Sequence, residues 1–218
     1  MKIIIFGVGD LAKQLYYYIS REEKYELEYF CVNKSFFSES KYLGKEVITF
    51  EDCLGFLSNK EYKFILGVGY KNLKMRKIIF DMIKEKGFDF INYISPSATV
   101  YGDIKGEGNI ILPNVTIEPF SVVRDNNIIW SNSTICHDSV IGNHNFIAAN
   151  SVVGGFSKIL ENNFLGFNSI IKDNISVERE VLIGANSLVI KSPENYSVYY
   201  GTPARKIREH FKNGLQIE

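Results

Sequence analysis

The chain has 218 residues, enough for one large domain or two modest ones. Its 25 Lys and Arg balance 25 Asp and Glu, so no global charge points to nucleic acid or to an anionic membrane surface. The three cysteines, Cys31, Cys53 and Cys136, are odd in number and far apart; they fit neither a disulfide framework nor a zinc site, and suit a reducing, cytoplasmic compartment.

In chain order, "KIIIF" reads as a buried strand, and its apolar run is far too short for a signal peptide or a membrane span. "GVGD" is a turn, and "LAKQLYYYIS" predicts a helix with one apolar face. "ELEYFCV" and "KFILGVG" predict two further strands, and "NLKMRKIIFDMIKEKG" a second helix. The alternation predicts a small parallel sheet with crossovers over residues 1–92. The loop "GVGDLA" fits the G-x-G-x-x-G/A pattern, in which a helix N-terminus receives phosphate. Gly7, Val8, Gly9 and Asp10, with Gly67, Val68 and Gly69 after the third strand, are candidate nucleotide contacts. Tight turns without a ligand are the alternative reading. A nicotinamide cofactor wants an acid at the end of the second strand. Asn33 and Lys34 stand there instead, which argues against that cofactor and leaves both as candidates for another nucleotide.

From residue 111 a different rule takes over. Ile111, Ile117, Val123, Ile129 and Ile135 begin a run of fourteen aliphatics, one every six residues, that ends at Val189. Four places after them recur Ser121, Ser133, Ser139, Ser151, Ser157, Ser169 and Ser187, with Asn127, Asn145 and Asn163. A period of six matches neither helix nor ordinary strand; it is the hexapeptide signature of a β-helix. Each hexad supplies one short strand and a turn, with the aliphatic inside and the small residue expected to carry the corner. Three hexads make a triangular coil, and coils stack roughly 4.8 Å apart. "SPSATVYGDIKGEGN" predicts an irregular first coil. The join falls near "NYISPSA"; at the other end "GTPA" predicts a turn and "RKIREHFKN" a short basic helix.

The pieces "IIIFGVGDLAKQL", "FILGVGYKNLKMRKII", "SPSA", "HDSVIGNHNFIA", "FLGFNSII" and "GTPARKI" together resemble the NeuD/PglD-like sugar acetyltransferases, over essentially the whole chain. The resemblance implies an α/β plus all-β protein. Residues 1–92 would be a Rossmann-like domain holding a nucleotide-linked amino sugar. Residues 93–218 would be a left-handed parallel β-helix with a short C-terminal helix. It further implies a homotrimer that uses acetyl-CoA, needs no metal, and acts on neither nucleic acid nor membrane.

His137 is third in its hexad, so alternation turns its side chain outward, and Gly155 lies one coil above it. By the resemblance, His137 is the general base, Asp138 orients its ring, and the Gly155 N–H receives the thioester oxygen. Histidine suits that task near neutral pH. His144, seven residues on, is expected on another face in a turn-capping or surface role, and with His210 in the tail the three histidines cannot gather a metal. The resemblance places Phe146, Ala149, Gly155, Phe167, Ala185, Pro203 and Arg205 along an acetyl-CoA groove. Arg205 and Lys206 could meet CoA phosphates, or simply face solvent on the tail helix. The chain departs from the family pattern at Trp130, Phe146 and Asn33–Lys34. N-acetylation is the reading preferred here. O-acetylation of a sialic-acid-like sugar and a non-catalytic nucleotide-sugar-binding scaffold are the alternatives.

Overall fold

The structure is a computed structural model and describes residues 1–69, 71–210, 215 and 217. The chain packs as two units, Met1–Gly69 with Ile78–Ile91, and Tyr70–Lys77 with Asn92–Glu218.

In the first unit the strands are β1 (Lys2–Phe6), β2 (Glu26–Val32), β3 (Lys41–Tyr42), β4 (Lys45–Thr49), β5 (Tyr62–Leu66) and β6 (Asp89–Phe90). They form one sheet in the order β3-β4-β2-β1-β5-β6. Only β3 runs antiparallel to its neighbour; the other pairs are parallel. Ile3, Ile4 and Ile5 of β1 are fully buried, as a central parallel strand covered on both faces requires. Helix α1 (Asp10–Ile19) buries Leu11, Ala12, Leu15 and Ile19, a stripe at helical spacing that lies on the sheet. The β3–β4 hairpin, β6 and helix α2 (Phe50–Phe56) were not foreseen; the first turn of α2 is capped by Thr49 Oγ1 accepting the Asp52 N–H at 3.1 Å. The second predicted helix is α3 (Leu73–Glu85), whose residues from Ile78 on belong to this unit. Cys31 and Cys53 lie in this unit's core. Burial holds both thiols protonated, Cys53 being pushed up to about 12 and Cys31 higher still.

The second unit is built on the hexads. Strand pairs repeat every eighteen residues, as in Ile110–Ile111 on Ile128–Ile129 and Thr134–Ile135 on Val152–Val153. They stack into three parallel sheets, an arrangement typical of a left-handed β-helix. We call the sheet containing Ile128–Ile129 the first face, that containing Thr134–Ile135 the second, and that containing Val140–Ile141 the third. The aliphatics from Ile111 to Val189 fill the interior at 0–1% exposure, each worth about 1.5–3 kcal/mol of apolar transfer. The first coil is irregular, as expected: Tyr93 pairs with Ile110, and Asp103 with Val122, one residue short and one long of the later repeat.

Corners work differently from the expectation. The turn is carried by the fourth place of each hexad, which has positive φ at every step from Asn114 through Asn132, Asp138, His144 and Asn150 to Asn186. Asn and Asp tolerate this left-handed conformation best. The small fifth-place residue is buried and ties coils together instead. Ser133, Ser139, Ser151 and Ser157 each donate a hydroxyl to a carbonyl fifteen residues on, at 2.9–3.0 Å.

The C-terminal helix is not found. Ser197–Gly201 extends the first face by pairing with Leu182 and Ile183, and Ala204–Glu209 returns antiparallel to it. "RKIRE" is therefore a strand, its backbone groups taken up by an open sheet edge. The remainder of the predicted helix, Phe211–Asn213, lies outside the described residues.

Candidate active site

The corner between the second and third faces carries His137. Its Nδ1 lies 3.0 Å from Asp138 Oδ2. A carboxylate can only accept, so Nδ1 is the donor, and in the neutral ring the lone pair lies on Nε2. Both side chains are open to solvent, at 50% and 38%. Asp138 reaches the ring because its backbone sits at φ 58, which turns a following residue back toward its neighbour. Directly above, Gly155 has no side chain, and the reason is steric. A Cβ there would stand 2.9 Å from His137 Cε1 and 3.0 Å from Nε2, so the lone-pair edge of the ring lies over the glycine. Third-place N–H groups stay out of the ladder between coils. The Gly155 N–H has no partner among the described residues, whereas the equivalent N–H of His137 donates to Glu118 Oε2 at 2.8 Å.

Two more features mark this corner. Phe156 is edge-on to the imidazole, with ring centroids 5.2 Å apart, which limits the ring's freedom to swing. Phe156 and Phe120 also occupy left-handed turn positions, at φ 58 and φ 65, where bulky residues are outliers. Such strain concentrates at functional sites. Sequence reasoning missed Glu118; its signal was its place, nineteen residues before the histidine, one coil plus one step away.

Other expected residues fall elsewhere. Ala149, Phe167 and Ala185 line the next corner, between the first and second faces. The hairpin tip with Pro203 joins them there, since Thr202 Oγ1 donates to the Asn186 carbonyl at 2.9 Å and the Gly201 N–H to Ser187 Oγ at 3.0 Å. Phe167 is exposed there, as are Ala185, Pro203 and Arg205. Within one chain this corner and the His137 corner are separate. Phe146 is corrected: it is buried in an aromatic column on the outside of the first face, stacked on Phe164 at 5.0 Å and against Trp130 at 5.6 Å, so it lines no groove. Lys206 is engaged by Glu194 and Glu209, each at 2.6 Å, rather than held free for phosphate. His144 is not on the surface. It is 5% exposed at a left-handed corner and shares a 2.9 Å hydrogen bond with Asn126. Among the described residues no three His, Cys, Asp or Glu side chains are gathered to hold a metal.

In the first unit, Gly7 and Gly67 meet at the carboxyl ends of β1 and β5, where the strand order reverses, the usual ligand crevice of such sheets. Gly7 has φ 118, and a Cβ on it would stand 3.0 Å from the Gly67 backbone. Their N–H groups are already used, by Cys31 O at 2.7 Å and Phe6 O at 2.8 Å. The open donors are those of the first turn of α1, where Gly9 is the cap and a Cβ would meet nothing within 4 Å. Asp10 places a carboxylate in that turn, which favours the helix dipole and opposes a phosphate. Asn33 stands just before the short 3₁₀ turn Lys34–Phe36 without a side-chain capping bond, and the Lys34 N–H donates to Glu51 Oε2 at 3.3 Å. Val68 and Gly69 follow at the same sheet edge.

Comparison with known proteins is consistent with this architecture. Residues 120–155 match the family model described as bacterial transferase hexapeptide (six repeats). No curated protein sequence gives a match. Among solved structures, PerB from Caulobacter crescentus, in complex with CoA and GDP-perosamine, superposes with a TM-score of 0.84 at 21% identity, over 95% of this chain and 98% of that one. The acetyltransferase domain of PglB from Neisseria gonorrhoeae gives 0.81 at 22% identity, over 94% and 99%, and has also been solved with acetyl coenzyme A. WeeI from Acinetobacter baumannii gives 0.61 at 16% identity, over 95% and 100%. At these identities the likeness establishes the fold over the superposed 94–96% of the chain, and the neighbours that share it include a GDP-perosamine N-acetyltransferase.

Proposed function

We propose that the chain transfers the acetyl group of acetyl-CoA to an amino group on a nucleotide-linked sugar, as a cytoplasmic homotrimer. One observation carries this reading: an imidazole oriented by a carboxylate stands over a glycine whose N–H has no partner among the described residues. The first unit, as a Rossmann-like domain spanning about residues 1–92, holds the nucleotide at Gly7–Asp10, Asn33–Lys34 and Gly67–Gly69. The second performs the transfer.

The sugar amine attacks the thioester carbonyl while His137 Nε2 takes its proton. The oxygen that gains charge is met by the Gly155 N–H, a fixed donor that needs no reorganisation. Collapse expels the CoA thiolate, which receives the proton from the imidazolium. The products are the amide and CoA thiol. Asp138 stabilises the imidazolium between the two steps, and Glu118 holds the His137 backbone in place.

Two corners support the trimer. The His137–Gly155 corner and the Ala149–Phe167–Ala185 corner cannot border one groove within a single prism, but can do so between neighbouring copies. Exposed Phe120, Phe156, Phe167 and Ile170 supply apolar surface for such contacts, and a three-fold ring closes. No helix among the described residues is long and apolar enough to cross a membrane. The test is thiol release from acetyl-CoA against UDP-, dTDP- and GDP-linked amino sugars, with sialic acids as hydroxyl acceptors. Release with an amino sugar is expected. Release only with sialic acids would move the reading to O-acetylation, and silence across the panel would favour a binding scaffold.

A further inference from the structure

We propose that the nucleotide held by the first unit carries guanine, and that Glu39 selects it. This rests on the nucleotide reading above and names what that reading leaves open. Beside the glycine-rich loop opens a cavity of about 200 Å³ whose wall includes Val8, Val32 and Val47, with Phe36, Glu39 and Lys41 also lining it. Val8 belongs to the loop itself, so the cavity continues from the candidate phosphate contacts. The valines offer a dry surface to a flat ring. Phe36 is 71% exposed, an aromatic with most of its surface unburied and available to stack.

The charged groups decide which ring. Ser38 and Tyr42 add hydroxyls to the wall, and Glu39 and Lys41 add charge, yet neither charged side chain forms a hydrogen bond or ion pair with any described residue. A carboxylate offers two acceptors side by side and no donor. Guanine alone among the common bases presents two adjacent donors, N1–H and the N2 amino group, that match it. Uracil and thymine offer one N–H flanked by two carbonyls, so the second carboxylate oxygen would face an acceptor. Adenine and cytosine set a ring-nitrogen acceptor beside their amino group, with the same conflict. Guanine's O6, next to N1, then needs a donor, and the Lys41 ammonium is donor only. Bonds of this kind, with one partner charged, are the stronger class.

The experiment is calorimetric titration of the full chain with GDP, UDP, dTDP, ADP and CDP, repeated on Glu39→Gln. Glu39 is exposed, so the variant should fold. GDP is expected to bind at least about tenfold tighter than the others. Glu39→Gln should weaken GDP by about 10–100-fold, the range of a lost charged hydrogen bond, and leave UDP within about twofold. The amide turns one acceptor into a donor, so it can no longer serve both guanine donors. Equal affinity for UDP or dTDP, or unchanged GDP affinity in Glu39→Gln, would overturn the guanine assignment while leaving a nucleotide site standing. If no nucleotide binds at all, the underlying nucleotide reading falls, and the guanine assignment with it.

Discussion

His137→Ala should lower kcat by roughly 10²–10⁴, the usual contribution of a positioned general base, with the KM for acetyl-CoA little changed. The ring is half exposed, so its removal opens no cavity and should leave the melting temperature near that of the parent. Asp138→Asn should give a smaller loss in the same parameter, because the amide oxygen can still accept the Nδ1–H hydrogen bond but stabilises the imidazolium less. His144→Ala is a poor control for general damage, contrary to what its sequence position suggests. It removes a buried ring bonded to Asn126, so it should cost stability. The informative pattern is a loss of kcat without a loss of stability at His137, and the reverse at His144. Near-full activity of His137→Ala at neutral pH would remove the base from the mechanism.

Asn145→Ala should destabilise the prism by about 2–4 kcal/mol. The reason is a ladder of buried amides. Asn127 Oδ1 accepts from the Asn145 backbone and side chain at 2.9 and 3.1 Å, Asn145 Nδ2 donates to the Leu160 carbonyl at 2.8 Å, and Asn145 Oδ1 accepts from the Asn163 N–H at 2.9 Å. Truncation leaves without these bonds the N–H of Asn163, a residue at 0% exposure, and the carbonyl of half-buried Leu160, where a fully buried unsatisfied group costs about 1–3 kcal/mol and a half-buried one less. Asn145→Ser should recover part of the loss, since serines at equivalent corners already donate to the carbonyl fifteen residues on. Denaturant midpoints for the two variants measure this. Equal midpoints for Ala, Ser and the parent would mean that the ladder contributes nothing.

The prism was legible because burial in it obeys one period. An inward side chain every sixth residue cannot be mistaken for a helix or a plain strand, and Ile111 through Val189 never break the pattern. His137 and Gly155 were legible for the same reason, since the register that fixes the core also fixes which residues stack one coil apart. Phe146 was misplaced because its groove position came from the family resemblance alone, whereas an outward side chain on the first face is not exposed. A signal was present: Ile110, Ile128, Phe146, Phe164 and Leu182, spaced by eighteen, are all large and apolar, and all at most 8% exposed, as a covered face requires. The corner rule was misread because serine is small and suggests a turn; the positive φ belongs to the preceding asparagines. Short elements escaped for want of period. Helix α2 has seven residues and β3 two, too few for any repeat to declare itself. The tail strand Ala204–Glu209 is held by pairing with Ser197–Gly201, a non-local cause that local basic patterning cannot reveal.

The central claim is best tested by locating acetyl-CoA on the assembled protein, in a crystal structure with the thioester or a stable thioether analogue bound. The carbonyl oxygen is expected within hydrogen-bond reach, about 2.7–3.1 Å, of the Gly155 nitrogen. His137 Nε2 should face the reacting carbon, and the pantetheine chain should lie against Ala149, Phe167 and Ala185 of a neighbouring copy. A thioester bound away from the His137–Gly155 corner, or held entirely by one chain, would contradict it.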